Sequence, residues 1–339
     1  MKDRVTYYDA LRGLAIIGVV AIHSTGIGYT FDDSSIDFNV TTFWRQMINF
    51  SVPIFITISG FFLLNKKVDT KKRYYGFIKQ QIPRVLVPYL IWSALYLGVY
   101  FYQGVPISEL LFRLFTFSPS VPFYFVALVI EYYILLPFIQ KLVNLRGLIF
   151  SGLISFSCCL IIFYLRYHTH LPLPLFIVGS APSWLIFFVL GGYLRKNTIN
   201  IKNIYLMIFI IIGYALSIVE TYFLYHTFDD IGGAVTAIKV SSFTYSIFLI
   251  LFAFKNNDKG YFKSKFFTYT GEVSFGIFLS HMFFMIGTKS IINNLFPILK
   301  ENATLYQLSL ICTTFICCMI FATLMRKLDK AIAIRYLGQ

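Results

Sequence analysis

The sequence predicts an all-α membrane protein, a bundle of about ten transmembrane helices with both termini in the cytoplasm. Composition is the first observation. Of 339 residues, 58% are hydrophobic and only 13% charged, whereas soluble domains carry about 25% charged residues. A soluble chain of this size cannot hide so much apolar surface, so lipid must be its solvent. The second observation is a series of apolar runs of spanning length, and the third is how the charges between those runs sort.

Runs of about 20 apolar residues occur at 8–29, 43–64, 85–103, 121–140, 147–166, 182–195, 203–225, 232–254, 270–292 and 303–325. The sixth is short, and the ninth contains His281. When the connecting segments are numbered alternately, one side collects 22 basic residues and the other six. The rich side includes Lys66, Lys67, Lys71, Lys72, Arg73, Lys79 and Arg84. The positive-inside rule therefore assigns both termini to the cytoplasm, and an even number of spans agrees. The net charge of +14 thus reflects topology, and no nucleic-acid partner is expected. The opposite loops are acidic or neutral, with Asp32, Asp33 and Asp37 after the first span and Asp229 and Asp230 after the seventh. No segment outside the membrane is long enough for a soluble domain, so residues 1–339 are expected to form one membrane domain.

The five cysteines, Cys158, Cys159, Cys312, Cys317 and Cys318, all lie in apolar runs. Their odd number argues against a disulfide framework, and they are expected to be small buried hydrophobes. His168 and His170 form a His-x-His pair in a proline-rich loop, but no further ligand is nearby, so no metal site is expected. The first run has a basic start like a secretory signal. Asp9 and Arg12 stand close to its apolar core and no Ala-x-Ala-like site follows, so it is expected to stay as a helix.

The first run also carries the strongest functional signal. Arg12 and His23 are eleven residues apart, which on a helix puts them within about 20° of one face and roughly 16 Å apart along the axis. Asp9 falls within about 60° of the same line. Ionisable groups inside a membrane helix are costly and mark function by default. The plainer alternative is a juxtamembrane Asp/Arg pair with a structurally satisfied histidine; three such groups on one stripe favour function.

Four further features follow in the chain. Ser59 and Gly60, near the cytoplasmic end of the second span, suit either a close-packing notch or a ligand site. Lys79 and Arg84 at the entrance to the third span suit anionic lipid or a phosphate-bearing ligand. Glu131 sits near mid-membrane, where a carboxylate must be neutral, paired or facing water; Arg12 and a histidine are candidate partners. Ser274, His281 and Thr288 recur every seven residues and form a polar stripe on the ninth span.

The run Arg4–x–x–x–Tyr8–Asp9–Ala10–Leu11–Arg12–Gly13–Leu14–Ala15, followed by His23, resembles the signature of the acyltransferase type 3 family. Pro53–Ile54–Phe55 to Ser59–Gly60–Phe61 is similar to that family's second-helix motif. Val273–Ser274–Phe275–Gly276–Ile277–Phe278–Leu279–Ser280–His281 resembles its Ser-Tyr-x-x-Tyr-Leu-x-His region, with phenylalanine at both tyrosine positions. The resemblance runs nearly the whole length. One departure is Gln81–Ile82–Pro83–Arg84, which keeps only the second arginine of an Arg-x-x-Arg pattern; Lys79 is a candidate to restore the lost charge. Another is that no extracytoplasmic hydrolase-like domain is expected after Gln339.

The resemblance implies a multi-pass enzyme of the plasma membrane that moves an acyl group, with acetyl expected, from a cytosolic acyl-CoA to a hydroxyl of an extracytoplasmic or lipid-linked glycan. No tightly bound cofactor is expected; acetyl-CoA is a donor substrate. His23 would act as general base or nucleophile, with Arg12, Asp9, His281 and Glu131 supporting the chemistry. Arg12, Lys79, Arg84, Ser59 and Gly60 would hold the donor. The competing class is a transporter or flippase for a polysaccharide, lipid-linked sugar or small solute, which intramembrane acids and histidines also suit. No inverted repeat and no matched pair of broken helices supports it. A purely structural scaffold fits the charged stripe poorly.

Overall fold

A computed structural model describes residues 2–169, 171, 173–257 and 264–339, with side chains from residue 6 onward. His170, Lys259 and Lys263 lie outside the described residues. The helices in chain order are α1 (Lys2–Ser24), α2 (Ile36–Met47), α3 (Ser51–Leu63), α4 (Lys71–Tyr102), α5 (Ile107–Phe115) and α6 (Tyr124–Ile139). Then come α7 (Leu145–Tyr167), α8 (Leu175–Val178), α9 (Ala181–Lys196), α10 (Asn203–Phe228) and α11 (Ile231–Ala234). The last are α12 (Val240–Lys255), α13 (Lys265–Glu272), α14 (Ser274–Leu295), α15 (Ala303–Leu328) and α16 (Lys330–Leu337). No strand occurs among the described residues.

Nine helical segments among the described residues are long and apolar enough to cross a membrane, and α12 is a shorter apolar tenth. The chain is an all-α, multi-pass membrane protein. The eighth expected span, 232–254, is shortened because the chain forms the brief α11, unwinds, and restarts as α12 at Val240.

The chain forms two compact units, residues Met1–Phe55 with Thr198–Phe321, and residues Ile56–Asn197 with Ala322–Gln339. In the first unit, α1 passes into a 3-10 segment, Thr25–Thr30. The Ser24 and Thr25 hydroxyls donate to the Val20 and Ile22 carbonyls at 2.9 and 2.8 Å, turning back on the last turn of α1. Tyr7 donates to the Ala253 carbonyl at 2.7 Å, and the Tyr8 ring packs 5.0 Å from Phe254, so the start of α1 is anchored to the end of α12. Ser35 caps α2 by accepting from the Phe38 N–H. On α10, Ile204, Met207, Ile211, Val219 and Phe223 are exposed, an apolar face that fits lipid.

In the second unit, α9 is buried on nearly every side, as expected of a helix that is apolar all round. Gly60 and Gly191 let α3 and α9 meet backbone to backbone. A Cβ at Gly60 would lie 2.0 Å from the Phe188 carbonyl oxygen, and one at Gly191 2.0 Å from that of Thr57. The third expected span, 85–103, begins earlier: α4 runs from Lys71, capped by Thr70 accepting from the Arg73 N–H. Its first turns are rich in lysine, arginine and glutamine, which form helix well but leave no hydropathy signal. Lys79 and Arg84 therefore sit within a helix rather than at its entrance, and α4 takes Pro83 and Pro88 in its interior. Two short amphipathic helices were not expected: α5, braced by Arg113 and Glu109 at 2.6 Å, and α16, whose Leu337 carbonyl accepts from Trp92 Nε1 at 3.3 Å.

Candidate active site

The first unit brings together four of the residues singled out in the sequence. Because α1 is unbroken from Lys2 to Ser24, Arg12 and His23 share one helical face with about 16 Å between their levels. Asp9 and Arg12 form an ion pair one turn apart, Nη1 to Oδ1 2.7 Å, with side chains 18% and 30% exposed. The carboxylate near the N-terminal end of α1 is thus engaged by the arginine, and the pair presents one guanidinium held in place.

That level of α1 is fixed by an unusually close helix crossing. A Cβ at Gly271 would sit 1.7 Å from the Asp9 carbonyl oxygen, and one at Gly13 would sit 2.1 Å from that of Phe267. A glycine on each helix lets α1 and α13 touch through their backbones, as small residues do in membrane bundles. Gly13 was visible only as part of a motif, and Gly271 carried no local signal; its role appears only once α13 is known to face Asp9.

At the other end of α1, the His23 and His281 rings lie 5.3 Å apart between centroids, tilted by 43°. His281 is wholly buried on α14. Its Nδ1 lies 2.7 Å from the Phe278 carbonyl oxygen and 3.1 Å from that of Ile277. Carbonyls only accept, so Nδ1 carries the proton and Nε2 keeps its lone pair. Nε2 is buried and has no hydrogen-bond partner among the described residues. A buried acceptor left without a donor costs about 1–3 kcal/mol. His23 is partly exposed and is the outer ring of the pair.

Of the rest of the polar stripe on α14, the Thr288 hydroxyl lies 2.9 Å from that of Thr314 and joins α14 to α15. Beside the stripe, Ser280 donates to Cys318 Sγ at 3.8 Å.

The other expected residues belong to the second unit. Glu131 Oε2 accepts the Ala181 N–H at 2.6 Å. Ala181 is the first residue of α9, so Glu131 caps that helix and places a carboxylate at its positive end. Gly60 is occupied by the backbone of Phe188, the packing-notch reading of the Ser59–Gly60 pair. Lys79 and Arg84 are both exposed. Five residues apart on one helix, they point roughly 140° from each other, which argues against Lys79 standing in for the missing arginine. Among the described residues, no group of three or more His, Cys, Asp or Glu side chains is arranged to hold a metal.

A family model described as an acyltransferase domain matches residues 5–323. No curated protein and no solved structure matches the chain.

Proposed function

The chain belongs to the acyltransferase type 3 family and is a membrane acyltransferase, and from that premise we propose that it moves an acetyl group from acetyl-CoA to a hydroxyl of an extracytoplasmic or lipid-linked glycan, with His23 at the chemical centre. The observation that carries this reading is the apposition of His23 to a buried histidine whose Nε2 lone pair has no donor.

In this reading His23 takes the proton of the acceptor hydroxyl while the hydroxyl oxygen attacks the thioester carbonyl. The tetrahedral intermediate collapses, the C–S bond breaks, and the CoA thiolate takes the proton from the imidazolium. The products are the O-acyl ester and CoA thiol. A base must be neutral to begin, and imidazole is neutral near ambient pH. His281 serves as a positioning residue: with Nδ1 committed to Phe278, its Nε2 lone pair is open to an N–H from His23 once the two rings turn toward each other, which would fix which His23 nitrogen holds the lone pair. The same arrangement serves a step in which His23 itself carries the acyl group.

Arg12 stands near the cytoplasmic end of α1, where the charged nucleotide of the donor must stay, and its guanidinium suits phosphate oxygens. Lys79 and Arg84, exposed on α4 of the other unit, are each cations suited to phosphate oxygens. Glu131 and Gly60 have structural partners and enter no step. The plasma membrane is the compartment where cytosolic donor and external glycan meet across one bilayer.

The test is incubation of protein in nanodiscs with radiolabelled acetyl-CoA and purified membrane glycan, followed by release of label with mild alkali. Alkali-labile label on the glycan supports O-acetylation. Label that stays in acetyl-CoA or acetate, with longer acyl-CoA thioesters transferred instead, would replace the acetyl assignment.

A further inference from the structure

His281 is held the way metal-binding histidines are held. Its ring is completely buried, and Nδ1 is tied to the Phe278 and Ile277 carbonyl oxygens of its own helix at 2.7 and 3.1 Å. A backbone carbonyl on one ring nitrogen is the outer contact that fixes the tautomer and the orientation of a histidine whose other nitrogen takes a metal. That other nitrogen, Nε2, lies at the edge of the ring away from the α14 backbone and has no hydrogen-bond partner among the described residues. A buried imidazole lone pair is satisfied by a hydrogen-bond donor or by a Lewis acid.

The ring beside it is that of His23, 5.3 Å away between centroids. Tetrahedral Zn2+ takes imidazole nitrogen at about 2.1 Å, and that nitrogen is about 1.1 Å from the ring centre, so each centroid stands about 3.2 Å from the ion. Two such ligands at a tetrahedral angle have their centroids about 5.2 Å apart. The observed spacing matches with α1 and α14 left where they are. A direct N–H···N bond would need similar spacing with the nitrogens on the line of centres, and Nε2 makes no such bond.

The ligand chemistry selects the ion. Two imidazoles suit Zn2+, whereas Mg2+ and Ca2+ take oxygen ligands. No third His, Cys, Asp or Glu among the described residues joins the pair, so water completes the tetrahedron, and the partly exposed His23 gives access to it. Resident catalytic zinc usually has three protein ligands; two hold it reversibly. Arg45, a cation that acts on His23, opposes a dication and works in the same direction.

We propose that His23 and His281 together bind Zn2+ reversibly, and that the bound ion inhibits acyl transfer by taking the His23 lone pair that serves as base. The inhibition rests on the acyl-transfer reading of His23; the binding site does not.

The experiment is calorimetric titration of the full chain in nanodiscs with Zn2+ alone, in a His168→Gln, His170→Gln background that removes the His-x-His pair. Adding His23→Gln or His281→Gln should weaken Zn2+ at least about tenfold, the scale of a disturbed ligand shell. Mg2+ should give no heat that depends on either histidine. Zinc-edge X-ray absorption should show two imidazole nitrogens at about 2.1 Å in the parent and fewer in either variant. His23→Gln, at the partly exposed ring, keeps the test standing where loss of the buried His281 unfolds the chain. In the acetyl-transfer assay Zn2+ should inhibit at the concentrations at which it binds, and EDTA should restore the rate. Unchanged Zn2+ affinity in both variants, or a bound ion without imidazole nitrogen, would overturn the site. Transfer at full rate with the site filled would overturn the inhibition. A chain that transfers no acetyl group yet binds Zn2+ through both histidines would support the site and count against the acyl-transfer reading alone.

Discussion

His23 and His281 stand 5.3 Å apart between ring centroids, and the backbone carbonyls of Phe278 and Ile277 fix the proton of His281 on Nδ1. Two histidines from α1 and α14 thus meet with one lone pair already assigned. If His281 positions His23 rather than reacting, His281→Gln, which keeps an acceptor, should lose less activity than His281→Ala. The expected loss in kcat is about tenfold for glutamine and about a hundredfold or more for alanine, in the range of acid–base support. The acid limb of the pH profile should shift only in the His281 variants. Equal losses with an unchanged profile would assign His281 a packing role.

Arg12 is tied to Asp9 at 2.7 Å and shares the His23 face of α1. Arg12→Ala should raise KM for acetyl-CoA by about tenfold or more, one lost charge-assisted contact, and should also leave Asp9 partly buried without its partner. Arg12→Lys should recover stability better than it recovers KM, because the guanidinium fork is lost. Unchanged kinetics in Arg12→Ala would remove it from donor binding.

The α1–α13 crossing leaves no room for a methyl group. Gly271→Ala would put a Cβ 1.7 Å from the Asp9 carbonyl oxygen, so the helices must separate, at a cost of about 1–3 kcal/mol or more. Gly98→Ala is the control, since a Cβ there meets nothing within 4 Å and alanine favours helix by up to about 1 kcal/mol. Thermal unfolding in detergent should show a lower Tm for the first and no decrease for the second.

Glu131 reads as a helix cap. Glu131→Gln keeps the acceptor for the Ala181 N–H and should retain activity within about threefold, while Glu131→Leu should cost about 1–2 kcal/mol of stability, as lost caps do. Activity abolished in Glu131→Gln with stability intact would return Glu131 to the chemistry.

Much of this was legible in the sequence, for reasons that differ by residue. The spans follow from hydropathy, and Arg12 and His23 follow from helical periodicity on a stripe where charge is costly. Spacing alone does not pair His23 with His281, because they come from helices 250 residues apart whose facing sides are set by tertiary packing. The start of α4 at Lys71 was hidden because lysine and arginine favour helix without raising hydropathy. Glu131 drew attention as an intramembrane carboxylate, but its partner is a backbone N–H, which no side-chain pattern records. Gly271 is a backbone contact, which its sequence neighbours do not announce.

The most direct test of the proposed chemical centre is single-turnover transfer from radiolabelled acetyl-CoA in nanodiscs, comparing wild type with His23→Ala. Donor binding should be measured in parallel. The proposal predicts that His23→Ala binds acetyl-CoA with unchanged affinity and keeps the wild-type Tm, yet transfers label at least about a hundredfold more slowly, the usual scale of a lost general base. Transfer at the wild-type rate in a folded, donor-binding His23→Ala protein would contradict it and put the chemistry elsewhere.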